Sequence, residues 1–274
     1  MQQLFAITKF RHAILSINDS KSPDKSYELT DDDNILHQTQ KLFTYMLFSY
    51  YGDLNPKNFI FSLKFYGERI NPRHNPRQSF DSSEFFLIFC DLIEKSLENT
   101  KYKSLIKDIF CGKTKEKRIC SICNNSTFTE EEFREISLDI KDMKDIYESL
   151  NKFISEEIIE DYKCDKCNNK VNLKKITFFS SLPNVLVIHL KRIIINNKGE
   201  HEQISSKFDF PIKELNIKKY CSLSNKEQND EFYKYNLKGI NIFKGRNNVG
   251  NYVCLIKNGE DKWYLFDGSL VKEI

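Results

Sequence analysis

Four cysteines in two matching pairs constrain this chain more than any other feature. Cys120 and Cys123 form one C-x-x-C, Cys164 and Cys167 a second, and each pair runs on into "NN". Both pairs lie beside predicted strands. Two such knuckles, brought together by antiparallel strands, offer four thiolates in the tetrahedral arrangement Zn²⁺ prefers. No ligand position is left for water or substrate, so the metal would stabilise a fold element and do no chemistry. A vestigial knuckle whose cysteines merely occupy turns is the alternative. A redox pair fits less well, because neither C-x-x-C opens a helix after a strand. The start, "MQQLFAITKFRHAIL", lacks the charged, apolar and cleavage regions of a signal peptide. The eight cysteines are therefore expected to be reduced, in cytosol or nucleus. Of the other four, Cys90 falls in an apolar helical run and Cys254 in an apolar strand, where cysteine serves as a small core filler.

The texture of the chain changes once. Residues 1–17 read as the end of one helix, and residues 16–34 as a polar loop. Apolar residues from Ile35 to Leu47 recur at helical spacing. After the polar stretch "NPRHNPRQSF", Asp81 and Glu84 make an Asp-x-x-Glu capping pattern ahead of a buried helical face at Phe85, Phe89, Leu92 and Ile93. From about residue 113 the segments become β-branched and alternating. Residues 142–159 fit one helix or two short ones. The last ninety or so residues read as strands in "LVIHLKRII", "SKFDFPI", "YNLKGINIF", "YVCLIK" and "KWYLFD". Helices first and sheet later predict an α+β architecture.

Composition excludes several classes of function. A net charge of +3, with no basic stripe carrying stacking aromatics, gives no ground for nucleic-acid binding. The densest basic run, Lys113 to Arg118, reads as a solvated face. No apolar run approaches the roughly 18 residues of a membrane helix.

These pieces, in this order, resemble the ubiquitin-specific protease family of papain-like deubiquitinases. The family's Gln-x-Asp-x-x-Glu-Phe signature is similar to the stretch carrying Asp81, Glu84 and Phe85. Its paired C-x-x-C fingers match Cys120, Cys123, Cys164 and Cys167. "LPNVLVIHLKRI" from Leu182 to Ile193 and "KFDFP" from Lys207 to Pro211 match two palm motifs. The closing box, with Gly-His-Tyr and then Trp-x-x-Phe-Asp, aligns without a gap onto residues 235–267. The likeness covers essentially the whole chain and looks closest to the very large members. It implies a papain-like fold with a helical thumb (1–112), zinc-ribbon fingers (113–180) and a β-rich palm (181–274), truncated at both ends.

Three departures bear on activity. The family's cysteine nucleophile would fall upstream of Met1. Asn251 stands where the general-base histidine belongs. One more palm strand is expected after Ile274. Asp267 matches the acid that orients the base; the alternative is that it caps a turn at "FDGS". Asparagine cannot act as a general base, because its amide exchanges no proton near neutral pH. Loss of one triad member costs a factor of roughly 10⁴ to 10⁶ in turnover. None of His12, His37, His74, His189 or His201 is placed to substitute, and Cys254 should point away from Asn251. An Asn251–Asp267 hydrogen bond would hold the adjoining loop in shape.

Recognition needs no nucleophile. The resemblance implies that Asp81 binds the ubiquitin tail while Phe208 and Tyr252 wall its channel, bordered by the loop at Lys244 to Gly250. Asp81 reads equally as a helix N-cap, and the two aromatics as core. The expected function is thus a domain that binds ubiquitin or ubiquitinated proteins, catalytically inactive as written. The alternatives are a fragment of an active thiol-dependent deubiquitinase and a scaffold that binds no ubiquitin.

Overall fold

The computed structural model describes residues 1–17, 34–49, 54–65, 68–69, 81–195, 199–222, 229–246 and 249–274. The chain divides into two compact units, one formed by Met1–Ile109 with Lys238–Ile274, the other by Phe110–Leu237.

In the first unit the opening helix is broken. α1 spans Gln2–Ala6 and α2 Thr8–Ser16, with Ile7 between them in an extended conformation at φ −76°, ψ 95°. α3 (Ile35–Phe48) is capped by Asn34, whose side chain accepts from the His37 N–H. A short α4 (Lys57–Ser62) and the strand pair β1 (Lys64–Phe65) and β2 (Glu68–Arg69) follow. α5 runs Ser82–Leu97. Phe10, Phe43 and Phe89 are fully buried where α2, α3 and α5 meet. Phe10 packs edge-on against both partners at ring separations of 6.1 and 6.3 Å, the geometry aromatic quadrupoles favour. The polar stretches 18–33 and 71–80, with His74, lie outside the described residues.

The same unit holds an antiparallel sheet in the order β13 (Gly239–Arg246), β14 (Val249–Lys257), β15 (Trp263–Asp267) and β16 (Leu270–Glu273). Here the structure corrects two expectations. The segment from Lys244 to Gly250, read as a loop, lies largely in the β13–β14 hairpin, and "LVKE", not read as a strand, forms β16. Gly250 explains the first. A Cβ there would lie 2.3 Å from the Lys244 carbonyl oxygen and 2.6 Å from the Gly245 Cα, so the glycine pair lets the backbones close.

α6 (Leu105–Phe110) precedes the second unit's strands. Its main sheet is antiparallel in the order β4 (Ser126–Phe133), β3 (Gly112–Cys120), β7 (Lys170–Ser181) and β6 (Glu157–Lys163). Beside it β5 (Ile136–Asp139) and β8 (Ile188–Lys191) pair in parallel. One helix, α7 (Ile146–Phe153), forms in the 142–159 region; "EII" at 157–159 goes to β6 because its register with β7 satisfies the backbone. Arg192 breaks the predicted "LVIHLKRII" strand into β8 and β9 (Ile193–Ile195), and β9 pairs with β10 (His201–Gln203). β11 (Leu215–Asn216) pairs with β12 (Lys234–Tyr235). "SKFDFPI" is no strand; it contributes a single bridge, Asp209 to Asp145. Among the described residues no helix is long and apolar enough to cross a membrane.

Candidate functional site

The two C-x-x-C pairs sit in two near-identical turns. The Cys120 N–H donates to the Asn125 carbonyl at 3.0 Å, and the Asn124 N–H donates back to the Cys120 carbonyl at 3.1 Å. In the second turn the Cys164 N–H reaches the Asn169 carbonyl at 3.0 Å and the Asn168 N–H the Cys164 carbonyl at 2.8 Å. Asn124 and Asn168 adopt left-handed backbone at φ 51° and 56°, a conformation asparagine tolerates better than most residues. The repeated "CNN" is thus a turn requirement. β3 ends at Cys120 and β6 one residue before Cys164. With β7 hydrogen-bonded to both strands, the two turns meet.

The four sulfurs lie within 4.8 Å of one another and could hold a metal ion. Cys120 Sγ is 3.9 Å from Cys167 Sγ, and Cys123 Sγ is 3.7 Å from Cys164 Sγ, far beyond a disulfide's roughly 2 Å. The Cys123 N–H, with further donors, draws the Cys120 thiol down to about 6. The backbone at Asn125 draws on Cys123 in the same sense, but burial and the neighbouring sulfurs push that thiol up to about 11.

The second constellation lies in the first unit. Asp81 caps α5, its Oδ1 accepting from the Ser83 N–H at 2.7 Å. Its Oδ2 accepts from the Tyr252 hydroxyl at 3.1 Å. Burial and the Asp81 carboxylate push the Tyr252 phenol up. The cap read for Asp81 thus falls on Oδ1, while Oδ2 already holds Tyr252. Phe208 is in the other unit, 6% exposed in a cluster with Ile136, Leu150 and Phe179.

Asn251 is exposed on β14, directly opposite Lys244 of β13. Cys254 pairs with Asn241 and Phe266, so it faces away from Asn251 as alternation requires. It is half-buried, which pushes its thiol up. Asp267 follows Phe266 at the end of β15. Its Oδ2 accepts from Lys244 Nζ at 2.8 Å, where a bond from Asn251 was expected. A loop reading of this stretch hides Lys244; the paired glycines Gly245 and Gly250 are the sequence signal for a hairpin. Among the histidines, His12 and His37 lie on α2 and α3. His189 on β8 has Nδ1 3.2 Å from Ser137 Oγ and 3.7 Å from Glu135 Oε1.

Residues 1–274 match the family model described as ubiquitin carboxyl-terminal hydrolase. Ubiquitin carboxyl-terminal hydrolase 8 of Saccharomyces cerevisiae is 30% identical, over 96% of this chain and 61% of that protein. Ubiquitin carboxyl-terminal hydrolase 34 of Homo sapiens is 28% identical, over 99% of this chain and 8% of its own length. The chain thus spans less than two thirds of these curated relatives. Among solved structures, the SAGA Ubp8/Sgf11/Sus1/Sgf73 DUB module bound to ubiquitin aldehyde is similar with a TM-score of 0.80 and 27% identity, covering 100% of this chain and 62% of that one.

Proposed function

This chain belongs to the ubiquitin carboxyl-terminal hydrolase family, and we propose that within it the domain binds ubiquitin or ubiquitinated proteins without cleaving them. Asn251 carries the reading. Its carboxamide cannot relay a proton, and Asp267, on the same face of the sheet, has its carboxylate on Lys244. Recognition is supported by relatives of the same fold whose structures contain ubiquitin aldehyde and monoubiquitin. Asp81 and Tyr252 are the residues we assign to the ubiquitin tail; Phe208, 6% exposed among Ile136, Leu150 and Phe179, is a core residue of its own unit.

Zinc is the metal the four cysteines fit. Tetrahedral sulfurs about 2.3 Å from Zn²⁺ stand about 3.8 Å apart, and the two closest pairs are 3.9 and 3.7 Å apart. When bound, the ion supplies structural closure of the finger tip. Cys120, Cys123, Cys164 and Cys167 hold it.

The test is a calorimetric titration of zinc-loaded protein with mono-ubiquitin, alongside hydrolysis of a fluorogenic ubiquitin conjugate. Micromolar binding, on the order of −8 kcal/mol, with no turnover is expected. Turnover, or no binding by folded protein, would overturn the reading; the latter outcome describes a scaffold. A second reading, part of an active deubiquitinase, rests on the chain's spanning 61% of its yeast relative. Labelling of the endogenous polypeptide by a ubiquitin-based electrophile would establish it.

A further inference from the structure

Asp267 keeps a carboxylate at a site whose base is gone, and Lys244 engages it. The two residues are not on neighbouring strands: Lys244 is on β13, Asp267 on β15, and β14 with Asn251 runs between them. Adjacent strands stand about 4.8 Å apart, so β13 and β15 are separated by about 10 Å. Only a side chain of lysine's or arginine's reach closes that gap to the 2.8 Å between Nζ and Oδ2. Alternation places Lys244, Asn251 and Asp267 on one face of the sheet. The lysine stem therefore crosses β14 on the face that carries Asn251.

We propose that Lys244 is the positioning residue of this degenerate site, holding the Asp267 carboxylate that a base at position 251 would require. The ammonium stands in for the imidazolium as the acid's partner. It keeps Asp267 paired and the hairpin fastened to β15. Restoring a histidine at 251 does not by itself restore a His–Asp pair. If the ring N–H reached Oδ1, the ammonium on Oδ2 would still offset the field the carboxylate exerts on the imidazolium. The other charged residues sharing this face by register are Arg246, Lys257 and Lys272, and Arg246 is unchanged in every variant below. Lys257 is engaged by Asp261 at 2.8 Å, and both lysines stay constant across the variants below. The inference rests on reading position 251 as that of the base.

The experiment is an NMR titration of the imidazole introduced by Asn251→His, identified as the resonance added to those of the five native histidines. In the single variant it is expected to titrate near the ordinary 6.5 or so. Adding Lys244→Ser should raise it by about one unit or more, the effect of a free neighbouring carboxylate. Asp267→Asn in that background should abolish the rise. Lys244→Met, which keeps the stem and removes the charge, replaces Lys244→Ser if the latter disturbs the amide spectrum. Equal titration with and without Lys244 would overturn the proposal. No step uses ubiquitin or turnover, so failure to bind ubiquitin, which defeats the proposed function, leaves this result intact.

Discussion

The Tyr252 hydroxyl donates to Asp81 across 3.1 Å, joining a strand to a helix N-terminus 171 residues away in sequence. One carboxylate thereby caps α5 through Oδ1 and ties β14 to it through Oδ2. Tyr252→Phe leaves the cap in place but removes the tie, together with the hydroxyl's contact to Ser82, and should cost about 1 kcal/mol. Asp81→Ala removes the cap as well and should cost about 2 kcal/mol. Chemical denaturation of both single variants and the double should give a coupling of at least about 0.5 kcal/mol. Strict additivity would show that the bond contributes nothing.

The knuckles make a prediction about backbone conformation. Asn124 and Asn168 have φ 51° and 56°, so Asn168→Gly should retain metal affinity. Asn168→Val should lower it, since a β-branched side chain in left-handed backbone costs about 1–2 kcal/mol. Metal content after competition with a chromophoric chelator reads the difference. Equal affinity for the two variants would sink the argument.

Removing the metal should loosen the finger tip and leave the core around Phe179 and Tyr233 intact. The cluster of Cys120, Cys164 and Val171 is separate from that core. Chelation should abolish hydrogen-exchange protection at the ends of β3, β6 and β7. Persistence of that protection would mean the strands hold the tip without a metal.

Tyrosines set an alkaline limit. Tyr235 donates to the Pro183 carbonyl at 2.6 Å, and burial pushes its phenol far up; Tyr252 is raised for the same leading reason. A raised phenol favours the folded state fully below the unfolded value of about 10. That contribution is lost as pH climbs from there through the folded value. Stability should therefore decline above about pH 10, and Tyr235→Phe should flatten the decline. In a 295 nm titration Tyr220, Tyr235, Tyr252 and Tyr264 should ionise later than an ordinary phenol; uniform ionisation would contradict this.

Gly250 tests the hairpin. A methyl group would overlap Lys244 and Gly245 backbone at 2.3 and 2.6 Å, where no side chain can swing aside. Gly250→Ala should destabilise the protein by about 1–3 kcal/mol, and shift the amide resonances of Lys244 and Asn251. A neutral substitution would mean the strands pair more loosely there.

Residue identity and spacing were enough for whatever is local. The two C-x-x-C turns follow from cysteine spacing and from asparagine's tolerance of left-handed backbone. Asp81 was legible as a cap because an acid before a helical apolar run has a local N–H to meet, though that N–H belongs to Ser83. Cys254 facing away from Asn251 followed from strand alternation alone. What sequence did not disclose depends on pairing between distant segments. "EII" at 157–159 became a strand because β7 offers its hydrogen bonds, while "SKFDFPI" alternates just as well and found only a single bridge, Asp209 to Asp145. The partner of Asp267 was decided by register. Neither Asn251, the expected donor, nor any pattern near Asp267 identifies Lys244. Only the sheet order β13-β14-β15 brings an ammonium on a long stem within reach of that carboxylate.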